Sequence, residues 1–359
     1  MNLPEAASAA DSLRVGVIGG GLVAQAVHLP NLAAHPGVEL LALADPSALV
    51  GAGLANQYSI PRTYLDWRDM LEAESLDAIV VCSPHATHAA IALAAIDLGI
   101  HALVEKPLCI DPADADVIAE RAESAGVVVH VGYMKRHDPA FDHFLASLPD
   151  SASTLHLIDV TTFDPWMSRA PFVNWDGFFL GTDIDPHLLH QFRAEEAAQV
   201  GAAVGADDPA TIRAYSYTFL ACLVHDVNLV SGVLDRWGMG ARAESSYAWA
   251  DGNAATISLR LDNGGVWRNT WMLLPDQEEF EETARLFFSG SIHQLQFPVP
   301  YHQMHLRSIW FERVERVGTL RPYPGDSFAT ATLRSLMPSL VPFGGAICIG
   351  PQQLRLVAT

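Results

Sequence analysis

The chain has 359 residues, half of them hydrophobic and 17% charged, with 41 acidic against 21 basic side chains and a formal charge of −20. That balance excludes a disordered chain and opposes any partner with a phosphate backbone or an anionic membrane surface. The length is about that of two ordinary domains.

Met1 to Ser12 has no basic start and no long apolar run, so no secretory signal is predicted. No window reads as long and apolar enough to span a bilayer, and the expected location is cytoplasmic, with no nucleic-acid and no membrane partner. Cys82, Cys109, Cys222 and Cys348 lie far apart, which argues against a disulfide framework or a zinc knuckle and reads as small core residues.

From Leu13 onward, short apolar runs alternate with helix-like stretches. Strands are predicted at Leu13 to Ile18, Val38 to Ala44, Ala78 to Cys82, Ala102 to Val104 and Val127 to Val131. Helices are predicted at Thr87 to Leu98, closed by Gly99, and at Ala113 to Ala125, closed by Gly126. Residues 1–130 therefore read as α/β, a Rossmann-type doubly wound parallel sheet. After about Pro149 the texture changes. Strand-like runs at Thr154 to Phe163, Ala243 to Ala250, Ala254 to Leu261 and Val266 to Leu274 are separated by Asp251-Gly252-Asn253 and Asp262-Asn263-Gly264-Gly265. Residues 131–359 read as an α+β domain with an open, mostly antiparallel sheet. Asp164 to Asp208 is either a lid or a long surface insertion.

Strand Leu13 to Ile18 runs into Gly19-Gly20-Gly21-Leu22-Val23-Ala24, with Asp45 at the end of the next strand. Gly19 permits the tight turn, Gly21 lets the backbone approach a pyrophosphate, and Leu22 and Val23 open the helix whose N-terminus faces the phosphates. Asp45 can accept hydrogen bonds from the adenosine ribose hydroxyls and repels a 2′-phosphate, so NAD is preferred over NADP.

At Val104-Glu105-Lys106-Pro107-Leu108 the chain resembles the glucose-fructose oxidoreductase / inositol dehydrogenase / rhizopine catabolism (Gfo/Idh/MocA) oxidoreductase family, whose signature is an E-K-P turn after the fifth strand. Three more segments resemble that family: Cys82-Ser83-Pro84-His85-Ala86-Thr87-His88, Val131-Gly132-Tyr133-Met134-Lys135-Arg136-His137-Asp138 and Leu223-Val224-His225-Asp226-Val227-Asn228. The resemblance covers the first 145 residues well and the rest in outline. It implies hydride transfer between nicotinamide and a secondary alcohol carbon of a sugar, inositol or similar polyol. Lys106 and His225 would be catalytic, because the hydroxyl proton must leave as hydride is removed. Ser83, Pro84, His85 and Glu105 would lie with Lys106 at the nicotinamide half of the cofactor, and His88 would start the helix there. Lys135 and Arg136 are either a solvated strand end or donors to substrate hydroxyls. A keto-sugar or imine reductase and a catalytically idle dinucleotide-binding regulator are the alternative functions. The second-domain sheet would form the substrate floor and hold a homodimer or homotetramer.

His225 lies on a helix predicted over Ser216 to Leu234, with Phe219, Leu223, Val227, Val230 and Leu234 on one apolar stripe. A hydrogen-bonded core histidine is the alternative to a catalytic one. Where the family carries Asp on either side of this histidine, the chain has Ala221 and Asn228. Either another carboxylate, such as Asp185 or Asp226, takes that place, or the acid/base chemistry is altered or lost. Trp166, Trp175, Phe178 and Phe179 could stack on a sugar ring or fill the core. His293, His302 and His305 lack metal-ligand spacing, so no metal is predicted.

Overall fold

The structure, a computed structural model, describes residues 12–165, 177–274, 279–298, 309–314 and 317–322. Trp166, Trp175, His302, His305 and Cys348 lie outside these residues, as does the leading segment before Ser12. Among the described residues the chain forms two compact units. The first holds the residues through Gly132 together with 177–199, and the second holds 133–165 and the residues from Val200 onward.

The first unit is a six-stranded parallel sheet: β1 (Leu13–Ile18), β2 (Val38–Ala44), β3 (Arg62–Tyr64), β4 (Ala78–Val81), β5 (His101–Val104) and β6 (Val129–Val131). The strand order is β3-β2-β1-β4-β5-β6, with the order reversing between β1 and β4. Val15, Val17, Leu43, Ile79, Val80 and Val81 are removed from solvent, and each full burial of this kind contributes roughly 1.5–3 kcal/mol. The crossovers carry α1 (Leu29–Ala34), α2 (Ala48–Tyr58), α3 (Trp67–Ala73), α4 (His85–Asp97) and α5 (Pro112–Ala125). Asp111 caps α5 by accepting from the Ala113 N–H at 2.9 Å, and Pro112 follows in the first turn, where its missing N–H costs nothing. Gly99 and Gly126 take the left-handed conformation that ends α4 and α5, with φ of 71° and 67°. β3 is a short strand that the sequence pattern does not reveal.

The second unit is an eight-stranded mixed sheet. Its strands are β7 (Leu155–Pro165), β8 (Ala241–Trp249), β9 (Ala254–Leu261), β10 (Val266–Leu274), β11 (Glu281–Phe288), β12 (Ser291–Phe297), β13 (Ile309–Val314) and β14 (Val317–Pro322). The order is β14-β13-β12-β11-β7-β10-β9-β8, and only β7 with β10 pair in parallel. Ile158, Val160, Trp267, Ala284, Leu286 and Leu295 point to one face and build the core with Phe141, Phe144, Val230 and Leu234. The opposite face carries Thr161, Thr256 and Thr270 in one row, the last two hydroxyls 2.9 Å apart, and above them Asp159 paired with Arg268.

The predicted helix over Ser216 to Leu234 is the end of a longer run. Pro209–Arg213 is α-helical, Ala214–Leu223 is a wider π-helix, and Val224–Asp235 is α-helical again. By length and composition the continuous run Pro209–Asp235 could cross a membrane, which corrects the expectation that no window is long and apolar enough, although 67% of its most apolar window is buried inside the fold. A second long helix, Pro186–Val204, occupies part of the stretch from Asp164 to Asp208, and its residues 186–199 belong to the first unit.

Candidate functional site

In the first unit, the loop after β1 is fixed by steric exclusion. Gly19 has φ +91°, and a Cβ there would sit 2.6 Å from the Cys82 carbonyl oxygen, so the loop presses directly on the turn after β4. A Cβ on Gly20 would meet Val50 at 2.6 Å and Leu54 at 2.8 Å, a requirement for the middle glycine that the fingerprint alone does not express. Gly21 faces open space with no atom within 4 Å of a built Cβ. Leu22 and Val23 form the first helical turn and lead into the π-helix Ala24–His28. An open glycine followed by a helix N-terminus, in front of a switch in strand order, suits a dinucleotide's pyrophosphate.

Asp45, at the end of β2, accepts from the Gly20 N–H at 2.7 Å and the Ser47 N–H at 2.8 Å. Burial pushes its carboxyl up, the two N–H groups push it down, and the Asp183 carboxylate adds to the rise. Each Asp45 oxygen keeps a lone pair for a ribose hydroxyl.

The turns after β4 and β5 are bound to each other. His88 is buried, with Nδ1 2.7 Å from the Pro107 oxygen and Nε2 2.8 Å from the Ser83 oxygen. This ring is thus a brace between two loops. The Lys106–Pro107 peptide bond is cis. Glu105 lies against the His28 ring, with Oε1 2.7 Å from Nε2. Burial pushes Glu105 up, but the His28 hydrogen bond, with Lys106 nearby, holds it below the usual carboxylate range. His85 opens α4 after Pro84, and its pKa falls to about 3 through burial first, then the charges of Lys106 and His88. His85 is therefore uncharged at neutral pH. Its Nδ1 is 4.0 Å from Glu196 on the helix Pro186–Val204, and Gln199 on that helix donates to the Ala86 oxygen at 3.1 Å. Gly19, Gly21, Leu22, Val23, Asp45, Ser83, Pro84, His85, His88, Glu105 and Lys106 thus gather at the carboxyl ends of β1, β2, β4 and β5. The sequence offers no sign that Glu196, over ninety residues further on in the chain, joins this group.

In the second unit Lys135 is buried and ion-paired with Asp226, at 2.7 Å, and with Glu282. Its ammonium is enclosed in the fold, a correction to the solvated strand end expected for it. One cation cannot neutralise two carboxylates, so Asp226 is held down while burial and the Asp226 charge push Glu282 up to about 8. Asp226 also accepts from Thr162 and Asn269, both at 3.1 Å. Arg136 donates to the Asn228 backbone oxygen at 3.0 Å and lies 3.2 Å from Asp235, tying down the helix Val224–Asp235. His225 is half-buried at the head of that helix. Asp226, one residue further on, is directed to Lys135. Asp185 accepts from the His187 N–H at 2.8 Å at the start of its own helix.

Asp164, near Tyr217, has its carboxyl pushed up to about 6 by burial, and the Tyr217 hydroxyl is raised for the same reason. Phe179 packs on α2, where a Cβ on Gly53 would lie 2.4 Å from its ring. His293 is 3.0 Å from the Ser291 hydroxyl and edge-on to Phe288. Among the described residues no group of His, Cys, Asp and Glu gathers in a form that could hold a metal.

Residues 13–133 match the model of an oxidoreductase family with an NAD-binding Rossmann fold, GFO_IDH_MocA. The chain is similar to the myo-inositol 2-dehydrogenase of Thermotoga maritima, 26% identical over 191 residues, which covers 52% of this chain and 57% of the relative. The chain spans about half the length of the curated relatives it matches. Among solved structures, KijD10, a 3-ketoreductase from Actinomadura kijaniata in complex with NADP and TDP-benzene, superposes with a TM-score of 0.71 at 17% identity, over 97% of this chain and 95% of that one. GenD2 from gentamicin A biosynthesis, in complex with NAD, superposes with a TM-score of 0.67 at 20% identity, over 100% and 94%. These two likenesses are of fold.

Proposed function

We propose, from the match of residues 13–133 to the GFO_IDH_MocA family model, that the chain is a Gfo/Idh/MocA-type NAD-dependent enzyme acting at a secondary alcohol carbon of a sugar, cyclitol or glycoside. The observation that carries this reading is the Glu105-Lys106-Pro107 turn at the end of β5, bound through His88 to the turn after β4 and beside an uncharged His85. When bound, the nicotinamide exchanges hydride with the substrate carbon. Lys106 Nζ is assigned to the substrate oxygen, where the neutral amine takes up the hydroxyl proton as the carbonyl forms and the resulting ammonium returns it when a ketone is reduced. The His85 ring can hydrogen-bond there without placing a second cation beside Lys106. Asp45 would hold the adenosine ribose, and Ser83 and Pro84 would line the nicotinamide half. His225 is assigned the second proton-handling role through the family resemblance. A homodimer or homotetramer through the sheet of the second unit belongs to the same proposal.

Two observations favour a second reading, a dinucleotide-binding protein without turnover: the positions of Ala221 and Asn228 lack carboxylates, and Asp226 is committed to Lys135. The readings separate in one assay. Purified protein is mixed with NAD and a panel of sugars, inositols and glycosides, or with NADH and keto-sugars, and absorbance at 340 nm is followed. The enzyme reading expects turnover that falls about 10²–10⁴-fold in Lys106→Ala while NAD affinity is retained. NAD binding with no Lys106-dependent turnover in either direction would leave the second reading.

A further inference from the structure

The described stretch 177–199 is separated from the glycine loop by about 150 residues of chain, yet it folds with the first unit. It is fastened at two points beside Asp45. Gln25, on the helix after the glycine loop, clamps Phe179: its side-chain carbonyl accepts from the Phe179 N–H at 2.9 Å, and its amide donates to the Phe179 oxygen at 3.0 Å and the Gly20 oxygen at 2.7 Å. Four residues later, Asp183 accepts from the Ser47 hydroxyl and, at 3.0 Å, from the Leu49 N–H in the first turn of α2. The Asp183 side chain is exposed, and the Ser47 hydrogen bond holds its carboxyl below its ordinary range, so it is ionised at neutral pH.

Ser47 and Leu49 are the donors next to the residue proposed to hold the adenosine ribose. A 2′-phosphate needs hydroxyl and backbone N–H donors at that place, since Asp45 offers only acceptors. Both donors are already engaged by a carboxylate that belongs to the chain. A 2′-hydroxyl asks nothing of them. NADP would therefore have to displace Asp183 and also approach two carboxylates, whereas NAD meets Asp45 alone.

We propose that Asp183 is a second selector of NAD over NADP, an internal carboxylate occupying the position a 2′-phosphate would take. The inference rests on the reading of the first unit as an NAD domain, and it adds a specificity-determining residue that the glycine fingerprint does not contain.

The test is calorimetric binding of NAD and NADP to the full chain and to Asp183→Asn and Asp183→Lys, with thermal melting as the check on folding. Asp183→Asn should tighten NADP about tenfold, as expected for removing one charge close to a phosphate, while NAD changes by less than about twofold. Asp183→Lys should tighten NADP further, and the wild-type preference for NAD should shrink at high salt. A folded Asp183→Asn and Asp183→Lys with the wild-type ratio of NADP to NAD affinity would overturn the selector and leave the NAD reading standing. Binding of neither dinucleotide by the wild type would overturn both.

Discussion

The two units handle buried charge in opposite ways. In the first, Asp45, Glu105 and His88 lie beyond the carboxyl ends of parallel strands, where each meets a backbone N–H, a carbonyl or the His28 ring. In the second, Lys135, Asp226 and Glu282 form an enclosed trio, cushioned by Thr162 and Asn269, beside the apolar core of the sheet. The lesson is that residue type does not separate site from scaffold. Lys106 and Lys135 are both lysines just beyond strands of one sheet, yet the first sits in a turn beside half-buried groups and the second is neutralised on both sides.

The comparison can be broken most directly at Lys135. Replacing it with Met leaves Asp226 without its cation, and stability should fall by about 3–5 kcal/mol in chemical denaturation. A loss below about 1 kcal/mol would mean that the trio is hydrated in solution. The next largest effect is with pH. The Glu282 carboxyl is raised from about 4.5 to about 8, so the folded chain binds a proton the unfolded chain releases. The stabilisation it confers is present below the unfolded value and is lost as pH rises through the folded one. Melting temperature should therefore decline between about pH 6.5 and pH 8; below that range Asp164 adds the same sign up to about pH 6, while His85, lowered to about 3, opposes it. Glu282→Gln should flatten most of that decline, and an unchanged slope would refute the assignment. The smallest expected effect belongs to the first unit, at Gly99. Its φ of +71° is strained for any residue with a Cβ, but a built Cβ meets nothing within 4 Å, so Gly99→Ala should cost only about 1 kcal/mol. A several-fold larger loss would show that this helix end is packed more tightly than it looks.

The first unit was largely legible. Its strands are apolar runs, its helices end at glycines, and Gly19 to Ala24 with Asp45 are read in order, because local sterics and a periodic core dictate all of them. The second unit was legible only where turn residues are conspicuous, as at Asp251 to Asn253 and Asn263-Gly264. β11 and β12 have no such marker at both ends, and Glu282 looks like any surface acid until the register of β11 turns it inward. Asp226 shows the same limit. It is next to His225 in sequence, but consecutive residues on an α-helix diverge by about 100°, so proximity in the chain sends the two side chains to different environments. Asp183 and Glu196 were out of reach because only the folded chain brings residues 177–199 to the first unit.

The π-helix Ala214–Leu223 has a consequence for how His225 can be re-aimed. A π segment holds extra residue per turn, so it acts as a phase shift inserted ahead of the α-helix that carries the histidine. Deleting one residue within it, with the winding left as it is, would turn everything downstream by one residue's angle, on the order of 100°. The histidine's heading is thus written in a residue count rather than in the histidine itself, and a length change several turns upstream is equivalent to moving His225 to a different face of the same rod.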